Sequence, residues 1–292
     1  MMSEFVSHSG ETEPKNYKDY FISIGDTIEE ICAEVQSLLI HAYWLEEYQY
    51  PASEKDKYNE MQLRSVYDIC TCANAKQKIS NDKRNPQLRV ISTCRDYSLL
   101  VCSILRSKGT SARLRCGFAT YLRPDAFEDH WVCEYWDSVK EKWLMVDAQL
   151  DRVLLEKLDL DFSEYDVPSN KFLFAGKAWE LCRTGEKDPA KFGIHHLNGL
   201  SFVKGNIVRD LFALGKIETL PWDHGWGILK GSIEETPSAR ELVYIDELAT
   251  ISSNSDSVSA LEAINSRSLA LPTAWSWSSS PTISALLTGI ST

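Results

Sequence analysis

Apolar positions from Asp26 onward recur at helical spacing: Ile28, Ile31, Cys32, Val35, Leu38, Leu39 and Ala42. Asp26 with Glu29 three residues later reads as a capping box, so a helix is expected to start there. Leu63, Val66, Tyr67, Cys70 and Ala73 predict a second helix, which ends before the polar run at 80–86. Ser92-Thr93 caps a third helix that opens on Cys94, Arg95 and Asp96. Its apolar face is Leu99, Leu100, Cys102, Ile104 and Leu105, and Gly109 is its stop signal. The pattern then changes to strands at 112–122, where Gly117 is expected to form a bulge, at 130–136, and at 143–146 running into Asp147. Asp137 and Ser138, with Lys140 to Lys142, form the turn between the last two.

A helix followed by an antiparallel meander predicts an α+β fold rather than a βαβ repeat. Helical patterns return around 172–182 and 200–214, followed by a compact loop at 220–227. The expected organisation is a flexible N-terminus at 1–25, a core with N-terminal helices at 26–160, a helical extension packed on it at 161–250, and a Ser/Thr-rich flexible tail with one short helix at 251–292. No internal repeat stands out.

Composition narrows the function classes. The 292 residues are 43% hydrophobic and 25% charged, an ordinary globular balance. A net charge of −11 and no sustained run of Lys and Arg argue against nucleic acid or an anionic membrane as partner. With no secretory signal pattern and no long apolar stretch, a soluble cytoplasmic protein is expected. In a reducing compartment the eight cysteines read as core thiols, metal ligands or a catalytic thiol rather than a disulfide framework.

Cys94 has the features of a nucleophile. It opens a helix, where unpaired N–H groups and the macrodipole favour a thiolate. A neighbouring imidazole would take its proton, and His130 on the second strand suits that role. Asp147, ending the third strand, would orient the imidazole across the strand pair. The intervals of 36 and 17 residues suit helix, strand, strand, turn and strand.

The runs STCRDYSLLVCSILRSKGTSARLRCGF, DHWVCEYW and KWLMVDAQ resemble the catalytic core of the transglutaminase-like superfamily. Cys94, Gly109, Arg113, His130, Glu134, Trp143 and Asp147 match its pattern in order. The resemblance covers roughly 60–151 and implies a papain-like α+β core with a Cys-His-Asp triad; no cofactor is expected, since the calcium that some relatives use finds no acidic loop here. It departs from the pattern at Thr93, where relatives commonly carry Gly. Val132 stands where they carry an aromatic, with Trp131 one place earlier as a candidate for the substrate channel.

The implied reaction is attack of Cys94 on a carboxamide or peptide carbonyl, giving a thioester that passes to water or to an amine. Protein, peptide or small amide substrates follow. Oligomeric state is not read from the sequence. The competing class is an inactive member of the fold serving as a protein-interaction module. The backbone N–H of Cys94 is one candidate oxyanion donor, and no second donor stands out. In the loop, Trp222 and Trp226 either wall a substrate cleft or plug the helical part. Arg113 reads as a structural ion-pair partner, with contact to a substrate carbonyl or carboxylate as the alternative. Metal binding by Cys70, Cys72 and Cys182, or by His195-His196, is disfavoured because neither spacing suits a shared ion.

Overall fold

The computed structural model describes residues 2–80, 84–230, 237–266 and 268–271. The chain divides into two units. The first takes the described residues up to Leu114 and Val132–Val167; the second takes Arg115–Trp131 and the described residues from Pro168 onward.

The first unit contains, in chain order, α1 (Lys18–Ser23), α2 (Ile28–Leu38), β1 (Leu39–His41), α3 (Glu54–Met61), α4 (Val66–Lys76), β2 (Val90–Ser92) and α5 (Cys94–Ser107). It also holds the start of β3 (Ala112–Ala119), the end of β4 (Phe127–Asp137), β5 (Lys142–Val146) and α6 (Arg152–Leu158). Every residue of α5 from Cys94 to Arg106 is buried. A helix with no exposed side must be covered on all sides, and α1, α2 and α4 pack against it.

That demand corrects the expectation of a flexible N-terminus. Phe5 and Phe21 are buried, and the backbone around them satisfies polar groups of α5. Arg106 donates to the carbonyls of Phe5 and Ala112 and to the Thr12 hydroxyl, at 3.2, 2.9 and 2.9 Å. Ser103 donates to the Thr12 carbonyl at 2.6 Å. The first residues are ordered because a buried guanidinium needs acceptors there.

Helix α2 also differs from expectation at both ends. Its N-cap is Thr27, whose hydroxyl accepts from Glu30 N–H while Glu30 accepts from Thr27 N–H. It stops at Leu38 because the next three residues leave the helix to pair in parallel with β2: Leu39 with Val90, Ile40 with Ile91, His41 with Ser92. Strands covered on both faces read as continuous apolar runs, which periodicity alone cannot separate from a buried helix. The β4–β5 hairpin pairs Cys133–Asp137 with Lys142–Val146 in antiparallel register. Arg113, expected to be an ion-pair partner, donates to Glu134 at 2.8 Å.

The second unit adds β6 (Phe172–Phe174), α7 (Ala175–Arg183), β7 (Phe192–Ile194), β8 (Leu197–Asn198), α8 (Leu200–Leu214), α9 (Ala239–Ser253) and α10 (Ser257–Ile264). The helix expected at 172–182 is thus a strand followed by a helix, and the expected tail begins inside α9. Residues 272–292 lie outside the described residues. Gly117–Ala119 of β3 pair antiparallel with β6, and Phe127–Glu128 of β4 pair parallel with β7. The sheet pairing is mixed rather than purely antiparallel. Gly117 sits in the regular ladder instead of a bulge; a Cβ there would come within 2.1 Å of the Leu173 carbonyl oxygen. Among the described residues no helix is long and apolar enough to cross a membrane.

At the centre of this unit Arg115 and Asp210 are fully enclosed and meet at 2.8 Å. Asp210 also accepts from the Cys116 N–H at 2.9 Å and the Ser252 hydroxyl at 2.6 Å. Ser252 in turn accepts from the Gly176 N–H and its carbonyl accepts from Arg115. One carboxylate therefore joins β3, α7, α8 and α9. Asp210→Ala strands the guanidinium and is expected to cost about 3–5 kcal/mol, read as a shift in the urea unfolding midpoint. A loss below about 1 kcal/mol would contradict this account of the network.

Candidate functional site

Cys94 is the first residue of α5, following Thr93 in extended conformation as N-cap. The Asp96 carboxylate, one turn in, accepts from Thr93 N–H at 2.9 Å, from the Thr93 hydroxyl at 3.1 Å and from Arg95 at 3.0 Å. Burial raises the Asp96 carboxyl above its ordinary value of 3.8, opposed by the Arg95 charge and the Thr93 donors. This clasp fixes where the helix starts and hence where the thiol stands.

The strand leading to Cys94 is held from both sides. On one side β2 pairs with β1, and Ala42 N–H donates to the Ser92 carbonyl at 2.9 Å. On the other, Glu60 of α3 accepts from Ile91 N–H at 2.6 Å. Glu60 is itself paired with Lys76, which donates to the Arg89 carbonyl at 2.8 Å.

Asp147 follows the last residue of β5 and is buried. Its N–H donates to the Glu164 carbonyl at 2.8 Å, and its Oδ1 accepts from Gln149 N–H at 3.1 Å. The next turn is tied to α2 by Gln36, which donates to the Ala148 carbonyl at 3.1 Å. The charge of Asp147 reaches Tyr97, one turn along α5 from Cys94. Tyr97's hydroxyl is pushed well up chiefly by burial, then by Tyr48 and Asp151, with Asp147 the smallest contributor. Cys94 and Asp147 thus belong to the same unit.

His130 belongs to the second unit, within β4. Its buried ring meets the rings of Tyr121 and Phe172 edge-on, with centroids 6.1 and 6.3 Å away. The preceding residue, Asp129, accepts from Asn206 at 2.7 Å. Burial raises the Asp129 carboxyl, opposed by Arg209.

The three tryptophans named as substrate contacts are all buried. Trp131 is fully enclosed. Trp226 belongs to the apolar core of the second unit, its ring 5.7 Å from that of Phe212. Trp222 is 8% exposed, beside Asp223, whose carboxylate accepts from Leu220 N–H at 2.8 Å. Of the two alternatives for the 220–227 loop, the core-filling one describes Trp226. No cluster of three or more His, Cys, Asp or Glu suited to a metal occurs among the described residues.

A residue the sequence reading passed over is His41. It is buried, on β1, opposite Ser92. Its Nδ1 accepts from Tyr43 N–H at 3.2 Å. The apolar run at 28–42 reads as one helix and hides this histidine; a short strand pairing in parallel leaves no local signal.

No family model matches the chain, and no curated protein matches it. Among solved structures it is similar to the crystal structure of "a Putative Cysteine Protease from Cytophaga hutchinsonii", at 16% identity and a TM-score of 0.33. The match covers 59% of this chain and 45% of that one, so the chain spans less than half the length of that structure. At that score the likeness assigns neither fold nor activity.

The clasp at Asp96 yields a pH prediction. A carboxyl raised in the folded state favours folding fully below its unfolded value near 3.8, and that contribution is lost as pH rises through the raised value. Between about pH 4 and pH 7, wild type should therefore lose unfolding free energy relative to Asp96→Asn. Parallel urea titrations measure the difference. A difference that is flat, or that grows in favour of wild type, contradicts the burial argument.

Proposed function

We propose that the chain is a thiol enzyme of transglutaminase-like type, with Cys94 as nucleophile, His130 as general base and Asp147 orienting the imidazole. The observation that carries the reading is the placement of the thiols. Of the eight cysteines, Cys94 alone opens a helix, where the N-terminal dipole stabilises a thiolate.

The others lie inside strands or helices or near a helix end. Burial raises the Cys32, Cys70, Cys72 and Cys133 thiols. Cys182, in the last turn of α7, is pushed up to about 11, chiefly by burial. The β4–β5 register adds support. Val146 pairs with Cys133, so Asp147 follows at the level of Val132, two residues after His130.

In the proposed reaction the Cys94 sulfur attacks an amide carbonyl carbon and His130 passes the proton to the departing amine. The resulting thioester is resolved by water, or by an amine. Hydrolysis makes the chain a peptidase or amidase; amine transfer makes it a transglutaminase. A papain-like core and a protein, peptide or small amide substrate belong to the same proposal.

Iodoacetamide labelling of native protein, read cysteine by cysteine by peptide mass spectrometry, tests it. Cys94 should label first, its rate should persist below pH 7, and His130→Ala should lower that rate at least about tenfold. Labelling of Cys94 that rises only near the ordinary thiol range of about 8.5, no faster than at Cys72, would favour the interaction module instead.

A further inference from the structure

We infer that His41 supplies an oxyanion donor for Cys94, presenting its Nε2–H to the substrate carbonyl oxygen; this rests on Cys94 being the nucleophile. Strand pairing places the two residues together. His41 is in register with Ser92 in the parallel β1–β2 pair, and Cys94 follows Ser92 by two residues, across an extended Thr93. Paired residues point to the same face, and so does the residue two further along. The His41 and Cys94 side chains therefore leave the same face. Standard strand spacing sets their Cα atoms about 8 Å apart, within the reach of an imidazole plus a bound carbonyl.

The tautomer decides the role. Nδ1 accepts the Tyr43 N–H at 3.2 Å, so Nδ1 carries no proton and the single ring proton resides on Nε2. An imidazole held this way donates from Nε2 and does not act there as a base. This separates its role from that of His130. The Tyr43 ring, centred 5.4 Å away at 64°, and the packing that leaves His41 7% exposed hold the ring in place. Fixed, desolvated donors stabilise developing charge most, because nothing reorganises during the reaction.

The step balances without further reagents. The Cys94 sulfur forms a bond to the carbonyl carbon while the C=O π pair moves onto oxygen. His41 Nε2–H and the Cys94 backbone N–H hydrogen-bond that O⁻. When the pair returns, the C–N bond of an amide breaks and the amine leaves with the proton His130 took from the thiol. His41 gains and loses no proton.

Two probes of the same sulfur separate donor from activator. p-Nitrophenyl acetate acylates a thiol through a tetrahedral oxyanion; iodoacetamide alkylates it by direct displacement, without one. In His41→Phe, acetylation of Cys94 measured by mass spectrometry should slow about 100-fold or more, with alkylation unchanged within about twofold. His41→Gln, which retains an N–H donor, should recover part of the acetylation rate and serves if the Phe variant fails to fold.

Equal slowing of both probes would show that His41 acts on the thiolate instead, and no change in either would show that it is spectator packing. Each result overturns the inference while leaving Cys94 as nucleophile. A wild-type Cys94 that neither probe modifies ahead of the other cysteines removes this inference together with the proposed function.

Discussion

Helix α5 has no solvent face from Cys94 to Arg106, yet it carries Arg95, Asp96 and Arg106. Moving each such ion out of water costs several kcal/mol unless partners replace the lost hydration. The organisation of the first unit follows from supplying those partners. Asp96 turns back to Thr93 and Arg95 and thereby fixes the first turn. Arg106 draws in the carbonyls of Phe5 and Ala112 and the hydroxyl of Thr12, ordering a polar N-terminal segment that has little reason of its own to fold. The thiol at position 94 owes its location to this enclosure. The second unit repeats the logic in α8, buried from Ser201 to Leu214, where Asp210 gathers Arg115, the Cys116 amide and Ser252 around one carboxylate.

This enclosure also sorts the cysteines. Burial is the largest cause that raises the Cys32, Cys70 and Cys133 thiols, which lie inside buried helices and strands. A thiol at the first position of a helix meets the same burial but also the unpaired end of the backbone dipole. Cys94 and Cys102 lie about two turns apart on one helix and so differ in position along its axis rather than in residue type. β2 delivers the chain to that position, held by β1 on one side and by the Glu60–Lys76 pair on the other.

Much of the first unit was legible because it obeys local rules. The α5 helix starts after Ser92-Thr93 and stops before Gly109 as capping chemistry dictates, and the 137–142 turn separates two strands where its polar residues say it should. What escaped the sequence depends on distant partners. β1 and β2 are three-residue strands whose apolar runs carry no period of their own, so Leu39–His41 looked like the end of α2 and His41 was passed over. The order at residues 2–25 is imposed by Arg106, about a hundred positions away. Gly117 resembled a bulge, but its missing side chain serves the close passage of Leu173. The three triad candidates were named from residue type, order and spacing; their chemistry rests on the proposal.

The most direct measurement of the central claim is a trapped acyl-enzyme. Wild-type protein mixed with a complex peptide pool, quenched in acid within milliseconds to seconds and mapped by mass spectrometry, should carry a hydroxylamine-labile adduct on the peptide containing Cys94. The adduct should be absent from Cys94→Ala and scarce in His130→Ala. Adducts spread evenly over the eight cysteines, or none on Cys94 while its alkylation proceeds, would contradict the thioester chemistry.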